Sequence, residues 1–225
     1  MPQPIIHITP QSVDEALKGL GLVQAQLLEA ITEGILARTN CTPNDPPFFP
    51  GQLQWARTVR VLREVLAPLG WRRSNKGNFC TVVEPGKRFA IAVATGNDQT
   101  GVDEDDDGPS TKRRRGPHTA EAVGKNATVQ LLLFTPEELE QQDAETPDGA
   151  EGIAVEARAT WILLFLVVGD EIRAELSLPD SIDEDGRIDG WRVRIILDAQ
   201  RLGDGHAQPA PDFGPDPTID VRRRA

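Results

Sequence analysis

The stretch from Gly51 to Gly96 leaves the chain few options, because its apolar period changes from 3.6 to 2 partway along. Trp55, Val59, Leu62, Leu66 and Leu69 recur at steps of four and three, which is one face of an α-helix. Pro50 stands just before that helix and Pro68-Leu69-Gly70 ends it. Beyond Trp71, Phe79, Thr81 and Val83 alternate with Cys80 and Val82, Glu84-Pro85-Gly86-Lys87 makes a turn, and Arg88 to Thr95 returns. On the return strand Phe89, Ile91, Val93 and Thr95 share one face, while Ala90, Ala92 and Ala94 form a flat opposite face that a helix can approach closely. The expectation is that the Trp55 helix lies on this sheet.

Ahead of this unit, Ile5 to Thr9 reads as a short strand or extended arm. Ser12-Val13-Asp14-Glu15 has the capping-box pattern, so a helix is expected from there to about Thr39. Its stripe is Ala16, Leu20, Val23, Leu27, Ile31 and Ile35, and Gly19, Gly21 and Gly34 weaken it. Pro43, Pro46, Pro47 and Pro50 make a stiff connector. After Thr95 come the turn formers Gly96 to Gly101, then five consecutive acids (Asp103 to Asp107) and the basic run Lys112 to Arg115, a pattern of loose order. Thr119 to Val123 suits a helical turn, Thr128 to Phe134 a strand, and Thr135-Pro136-Glu137-Glu138 a second capping box ahead of an acidic loop at Asp143 to Gly152. Ala159 to Val168 is apolar on both faces and so central in a sheet. Glu171 to Leu178 alternates, with Ile172, Ala174, Leu176 and Leu178 inward and Arg173, Glu175 and Ser177 outward. Ile188 to Asp198 puts Trp191, Val193, Ile195 and Leu197 on one face and Arg192 and Arg194 on the other, where either arginine can pair with Glu175.

These elements imply an α+β fold: an antiparallel sheet of about five to six strands against two N-terminal helices, with no β-α-β alternation. The divisions are an N-terminal helix and connector over 1–50, a core over 51–200 with a charged flexible loop at 99–118, and a Pro-, Gly- and Asp-rich tail over 201–225. The length suits a single domain. The net charge of −11 opposes generic binding to DNA or acidic membranes. It hides an asymmetry: Gly51–Arg88 carries eight basic and two acidic residues, whereas Pro136–Glu156 carries eight acids and no Lys or Arg. The first residues lack a basic region followed by a long apolar run, and Trp161 to Val168 is too short to span a bilayer, so a cytoplasmic protein with reduced Cys41 and Cys80 is expected.

Chemistry-bearing patterns are sparse. His7, His118 and His206 are far apart in sequence and no Cys-x-x-Cys occurs, so no metal is expected. Asp103-x-Asp105-x-Asp107-Gly108 matches half a calcium loop, but the position that needs a bidentate Glu is Arg114. No phosphate-binding glycine motif and no Gly-x-Ser-x-Gly is present, and no cofactor is expected. For a metal-dependent hydrolase or nuclease, Asp98 and Glu175 are the only usefully placed carboxylates. Arg57, Arg60 and Arg63 recur every three residues and are followed by Arg72, Arg73 and Lys76, a face that could track phosphates without aromatic interleaving. The acidic runs could instead present phosphate-like charge to a basic partner, as a nucleic-acid mimic does.

The segments RFAIAVATGNDQTG, IRAELSLP and RIDGWRVRIIL resemble uncharacterised proteins of bacteria and of their plasmids or integrated elements, over roughly Trp55 to Leu197. The resemblance implies a mobile-element context and brings no activity or site residues. The leading expectation is a non-catalytic protein that binds a protein or nucleoprotein partner, with an acidic (nucleic-acid-mimic) inhibitor or accessory encoded by a mobile element as its finer form. Its contacts would come from Asn97, Asp98, Gln99 and Thr100, from Asp103, Asp105, Asp107, Arg113 and Arg114, and from Arg173, Arg192 and Arg194. The alternatives are nucleic-acid binding through Arg57, Arg60, Arg63, Arg72 and Arg73, and the metal-dependent hydrolase.

Overall fold

The computed structural model describes residues 3–103, 108–128 and 159–202. Its helices are α1 (Pro10–Gly19), α2 (Gln24–Thr39), α3 (Phe49–Leu66) and α4 (Pro117–Thr128). Its strands are β1 (Ile5–His7), β2 (Arg72–Ser74), β3 (Thr81–Val83), β4 (Phe89–Thr95), β5 (Ala159–Val168), β6 (Glu171–Ile182), β7 (Ile188–Ile196) and β8 (Gln200–Arg201). The strand, helix and acidic loop expected beyond Thr128 and the tail beyond Leu202 lie outside the described residues.

The α+β class is correct, but the sheet is larger and mixed. It has eight strands in the order β1-β7-β6-β5-β4-β3-β2, with β8 paired to β6. β1 runs parallel to β7, and β4 runs parallel to β5 from Phe89↔Ala159 to Thr95↔Phe165. The expectation of an antiparallel sheet therefore fails at two joins. The second join needs a crossover, and α4 lies within it. β1 falls within the stretch read as a short strand or extended arm, whereas the short β2 and β8 escape period counting because two or three residues carry no period.

The single helix expected up to Thr39 is two helices bent by 93°. Thr9, not Ser12, caps α1 by accepting from the Ser12 amide. Gly21 takes φ +69 between α1 and α2, and the Gln26 side chain accepts from the Val23 amide at the new start. α3 runs on through a 3₁₀ turn to Gly70 at φ +86, where the Pro68-Leu69-Gly70 stop places it. Gly34 is the contact of α2 with α3: a Cβ there would stand 2.0 Å from Thr58 Oγ1 and 2.7 Å from the Gln54 carbonyl.

Both faces of the sheet are covered. Phe89, Ile91 and Val93 of β4, Trp161, Leu163 and Phe165 of β5, and Val193 and Ile195 of β7 join Leu17, Leu27, Ile31, Leu62 and Leu66 in one core under α1–α3. As expected, α3 lies on this face, and its Trp55 indole donates to the Val93 carbonyl. On the other face Ala92, Ala94, Ile162 and Leu164 pack with Val123 of α4, so the alanine surface does receive a helix. Register shifts at Pro179 and Ser181 turn Trp191 to this second face, against the expected grouping with Val193. The outward residues Glu175 and Ser177 are consequently buried, not solvated. Asn126 fastens α4 down: its amide group donates to the Thr160 and Pro179 carbonyls and its oxygen accepts from the Thr160 N–H. Among the described residues no single helix is long and apolar enough to cross a membrane, and both cysteines are free.

Candidate functional site

In the β4–α4 connection, residues 96–103 and 108–116 form a strap across the second face. At its start the Gly96 amide donates to Phe165, prolonging the β4–β5 ladder. Asn97 folds the next turn, its side-chain oxygen accepting from the Gln99 and Ser110 amides. Gly96 and Thr111 form an antiparallel bridge, and the Lys112 amide donates to Thr95. The strap is then tied to β7 and the β6–β7 turn. Thr111 donates its amide to Ile188 O and accepts from Ile188 N, the Trp191 indole donates to Pro109 O, and the Arg115 amide donates to Gly186 O. At the surface Arg114 reaches Asp185 at 2.6 Å.

Beneath the strap lies an ion pair closed to solvent. Arg194 Nε and Nη2 donate to Glu175 Oε2 at 3.0 and 2.7 Å, and Nη2 also donates to the Val102 carbonyl. β6 and β7 place the two diagonally: Ser177 faces Arg194, and Glu175 faces Ile196. Burial pushes the Glu175 carboxyl up, to about 7, against the pull of Arg194 and of the nearby Gly101 amide. Glu175 Oε1, Ser177 Oγ and Thr100 Oγ1 are buried without a well-formed protein partner, so the seam is polar but incompletely satisfied.

The expected contact residues thus divide. Asn97 and Thr100 build the strap, Gln99 is half-buried, and Asp98 and Asp103 are exposed. Arg113 and Arg114 are exposed on the strap, while Asp105 and Asp107 lie outside the described residues. Arg194 is under the strap, Arg192 bonds Asp180, and Arg173 bonds Glu171 at 2.7 Å. In the basic set, Arg57 meets Glu33, Arg60 meets Glu64, and Arg63 donates to Ser74 O, Asn75 Oδ1 and Thr81 O. Arg72 and Arg73 are exposed on the edge strand β2. Asp98 and Glu175 form no open carboxylate pair, since Glu175 is wholly buried against Arg194. Among the described residues no three His, Cys, Asp or Glu side chains form a metal-ligating group.

A cleft of about 280 Å³ opens beside the strap, lined among others by Trp55, Phe79, Cys80, Arg114, Arg115 and His118. It lies where β3 begins at Thr81, opposite Ala92, so that no β3 residue pairs with Val93 or Ala94 before the strap joins the edge at Thr95. Sequence reasoning passed over Arg115 as one charge in a basic run. The available signal was Gly116-Pro117, a helix start that puts Arg115 at the mouth of α4. No protein-family model, curated protein or solved structure matches the chain.

Proposed function

We propose that the chain is a non-catalytic interaction protein that binds a protein or nucleoprotein partner through the outer side of the strap. One observation carries this reading. The polar side chains under and along the strap, Asn97, Thr111, Trp191 and Arg194, are spent on holding it in one shape, while Asp98, Asp103, Lys112, Arg113 and Arg114 face outward. A loop fixed in advance on a rigid sheet loses little conformational entropy on binding, which favours recognition. In the finer form of the proposal, the acidic residues of the Asp103–Asp107 run offer phosphate-like charge to a basic partner, as an inhibitor or accessory of a mobile element. The basic face of α3 supports nucleic-acid binding less well, because Arg57, Arg60 and Arg63 each have acceptors within the molecule.

The test is affinity capture from host lysate at moderate salt, with and without nuclease. The full chain is compared with a variant carrying Asp103→Ser and Asp105→Ser and with Arg113→Ala/Arg114→Ala. A stoichiometric protein that survives nuclease and is lost from either variant supports the proposal. Capture that is insensitive to both variants, or recovery of nucleic acid alone, refutes the strap as the contact.

A further inference from the structure

We propose that the cleft at the start of α4 is a binding site for a small phosphate monoester with a planar body, anchored by Arg115. This goes beyond the partner reading and does not depend on it, since the ligand enters the cleft and not the outer side of the strap.

The anchor is a cation without a counter-charge. Arg115 is half-buried in the cleft wall, and among the described residues its guanidinium has neither acceptor nor ion-pair partner. Its backbone is fixed by the bond to Gly186 O, so the side chain is delivered to the cleft by a rigid segment. Burial, reinforced by the charge of Arg113, lowers its pKa to about 10. A desolvated guanidinium is costly unless paired, and its planar fork matches an oxyanion bidentately. Every other fully or largely buried ionic group described at the strap has its partner, as Arg194 has Glu175.

The surroundings add to the anion preference. α4 is twelve residues long and begins at Pro117, so the positive end of its dipole opens on the same space. Arg114 lies at the rim with its charge shared by Asp185. Among the described residues no carboxylate lines the cleft, and Glu121, in the first turns of α4, is engaged by Lys125 at 3.1 Å and by His118 at 3.7 Å. His118 lies flat on Gly77, where a Cβ would stand 2.1 Å from its Nε2, so the imidazole wall is held in place by the missing side chain. Trp55 and Phe79 supply aromatic surface for a planar body. A volume of about 280 Å³ admits one anionic group and one ring, below the usual range for larger ligands. Two arginines and a helix start suit a dianion better than a carboxylate.

The experiment is isothermal titration of the full chain with inorganic phosphate, phenyl phosphate and benzoate, repeated with Arg115→Met, Arg115→Lys and the remote control Arg60→Met. Phenyl phosphate is expected to bind best, inorganic phosphate more weakly and benzoate weakest. Arg115→Met is expected to lose at least about tenfold in phenyl phosphate affinity, the loss of one charge-assisted bidentate contact. Arg115→Lys is expected to fall between, and Arg60→Met to match the parent. Arg115→Met is also expected to melt no lower than the parent, since it removes a buried cation that nothing pairs; this separates a binding role from a structural one. Benzoate binding as tightly as phenyl phosphate overturns the phosphate assignment. No binding of either phosphate at millimolar concentration, or unchanged binding by Arg115→Met, overturns the site.

Discussion

Cutting the Glu175–Arg194 pair from its two sides should cost different amounts, with different pH dependence. The contact distances are 2.7 and 3.0 Å and the side chains are 0% and 2% exposed. At such a distance and an effective dielectric of ~20 the attraction is about 6 kcal/mol. Desolvation takes back several kcal/mol per ion, so the intact pair contributes little net. Removing one partner is another matter, because the remaining charge stays buried, at about 3–5 kcal/mol. Glu175→Gln leaves a guanidinium that cannot shed its proton, so the variant's own stability is flat from pH 5 to 8 and its cost relative to the titrating parent falls by about 2–3 kcal/mol over that range. Arg194→Met leaves a carboxyl that can take one up, and also strips the Val102 carbonyl of its donor at about 1–3 kcal/mol.

The sign follows from where the protons sit. Burial already raises the Glu175 carboxyl to about 7 with Arg194 present, and losing that cation raises it further. The unfolded chain gives up the same proton near pH 4.3. Between those values the folded state holds more protons, so stability falls as pH rises, by up to about 1.4 kcal/mol per unit. Arg194→Met is therefore expected to lose up to about 4 kcal/mol of its own stability between pH 5 and pH 8, of which the parent loses about 2–3 through Glu175 by pH 7, so the substitution is about 1 kcal/mol more damaging at pH 8 than at pH 5. The double variant Glu175→Gln/Arg194→Met leaves no buried charge and is expected to recover about 2 kcal/mol or more relative to the summed singles. Urea unfolding followed by tryptophan fluorescence at both pH values measures all of this. Costs that add to within about 0.5 kcal/mol, or an Arg194→Met penalty equal at both pH values, refute the reasoning.

Two further substitutions probe how the layers are fastened. Gly34→Ala gains about 1 kcal/mol of helix propensity but forces a methyl group into Thr58 and the Gln54 carbonyl, so a net loss of about 1–3 kcal/mol is expected in chemical denaturation; a gain would mean that α2 and α3 separate freely. Asn126→Ala orphans the Thr160 N–H and the carbonyls of Thr160 and Pro179, for an expected cost of at least about 2 kcal/mol together with faster hydrogen exchange at Thr160. Unchanged exchange there would show that α4 is not held by this side chain.

What could be read from the sequence was what carries a period. The α3 stripe, the β3–β4 hairpin and the inward face of β6 recur over enough residues for sidedness to emerge, and the structure places each as read except Leu69, which lies in the 3₁₀ turn past α3 and is exposed. Three things escaped. β2 and β8 pair through backbone groups that any residue supplies. The parallel β4–β5 join depends on a crossover whose helix, α4, has a weakly apolar sequence and is held by Asn126 as much as by Val123. The burial of Glu175 and Arg194 was hidden by their alternation, because a charged outward face looks solvated until something covers it. Their mutual pairing was legible from cross-strand spacing, and Arg194, not Arg192, is the partner. At the cleft nothing in the basic run distinguishes Arg115 from Arg114, since the difference lies in Asp185, 71 residues away, which pairs with only one of them.

Net charge and local charge also point to different classes of ligand. A molecule at −11 repels a long polyanion at every distance outside its own basic patches. A compact anion samples only the charges within a screening length of about 8 Å, and within the cleft those are dominated by Arg115, Arg114 and the start of α4. Under the proposal the net charge disfavours nucleic acid as a bulk polymer, whereas the local charge at the cleft favours a single phosphate. It follows that salt should act differently on the two. Binding of a small phosphate at half-buried Arg115 is expected to weaken only modestly between 50 and 200 mM salt, about as one neutralised charge does, whereas tracking a duplex through 6–10 phosphates would lose about 10³–10⁵ over that range. A steep salt slope for phenyl phosphate would place its contact on the exposed basic surface and not in the cleft.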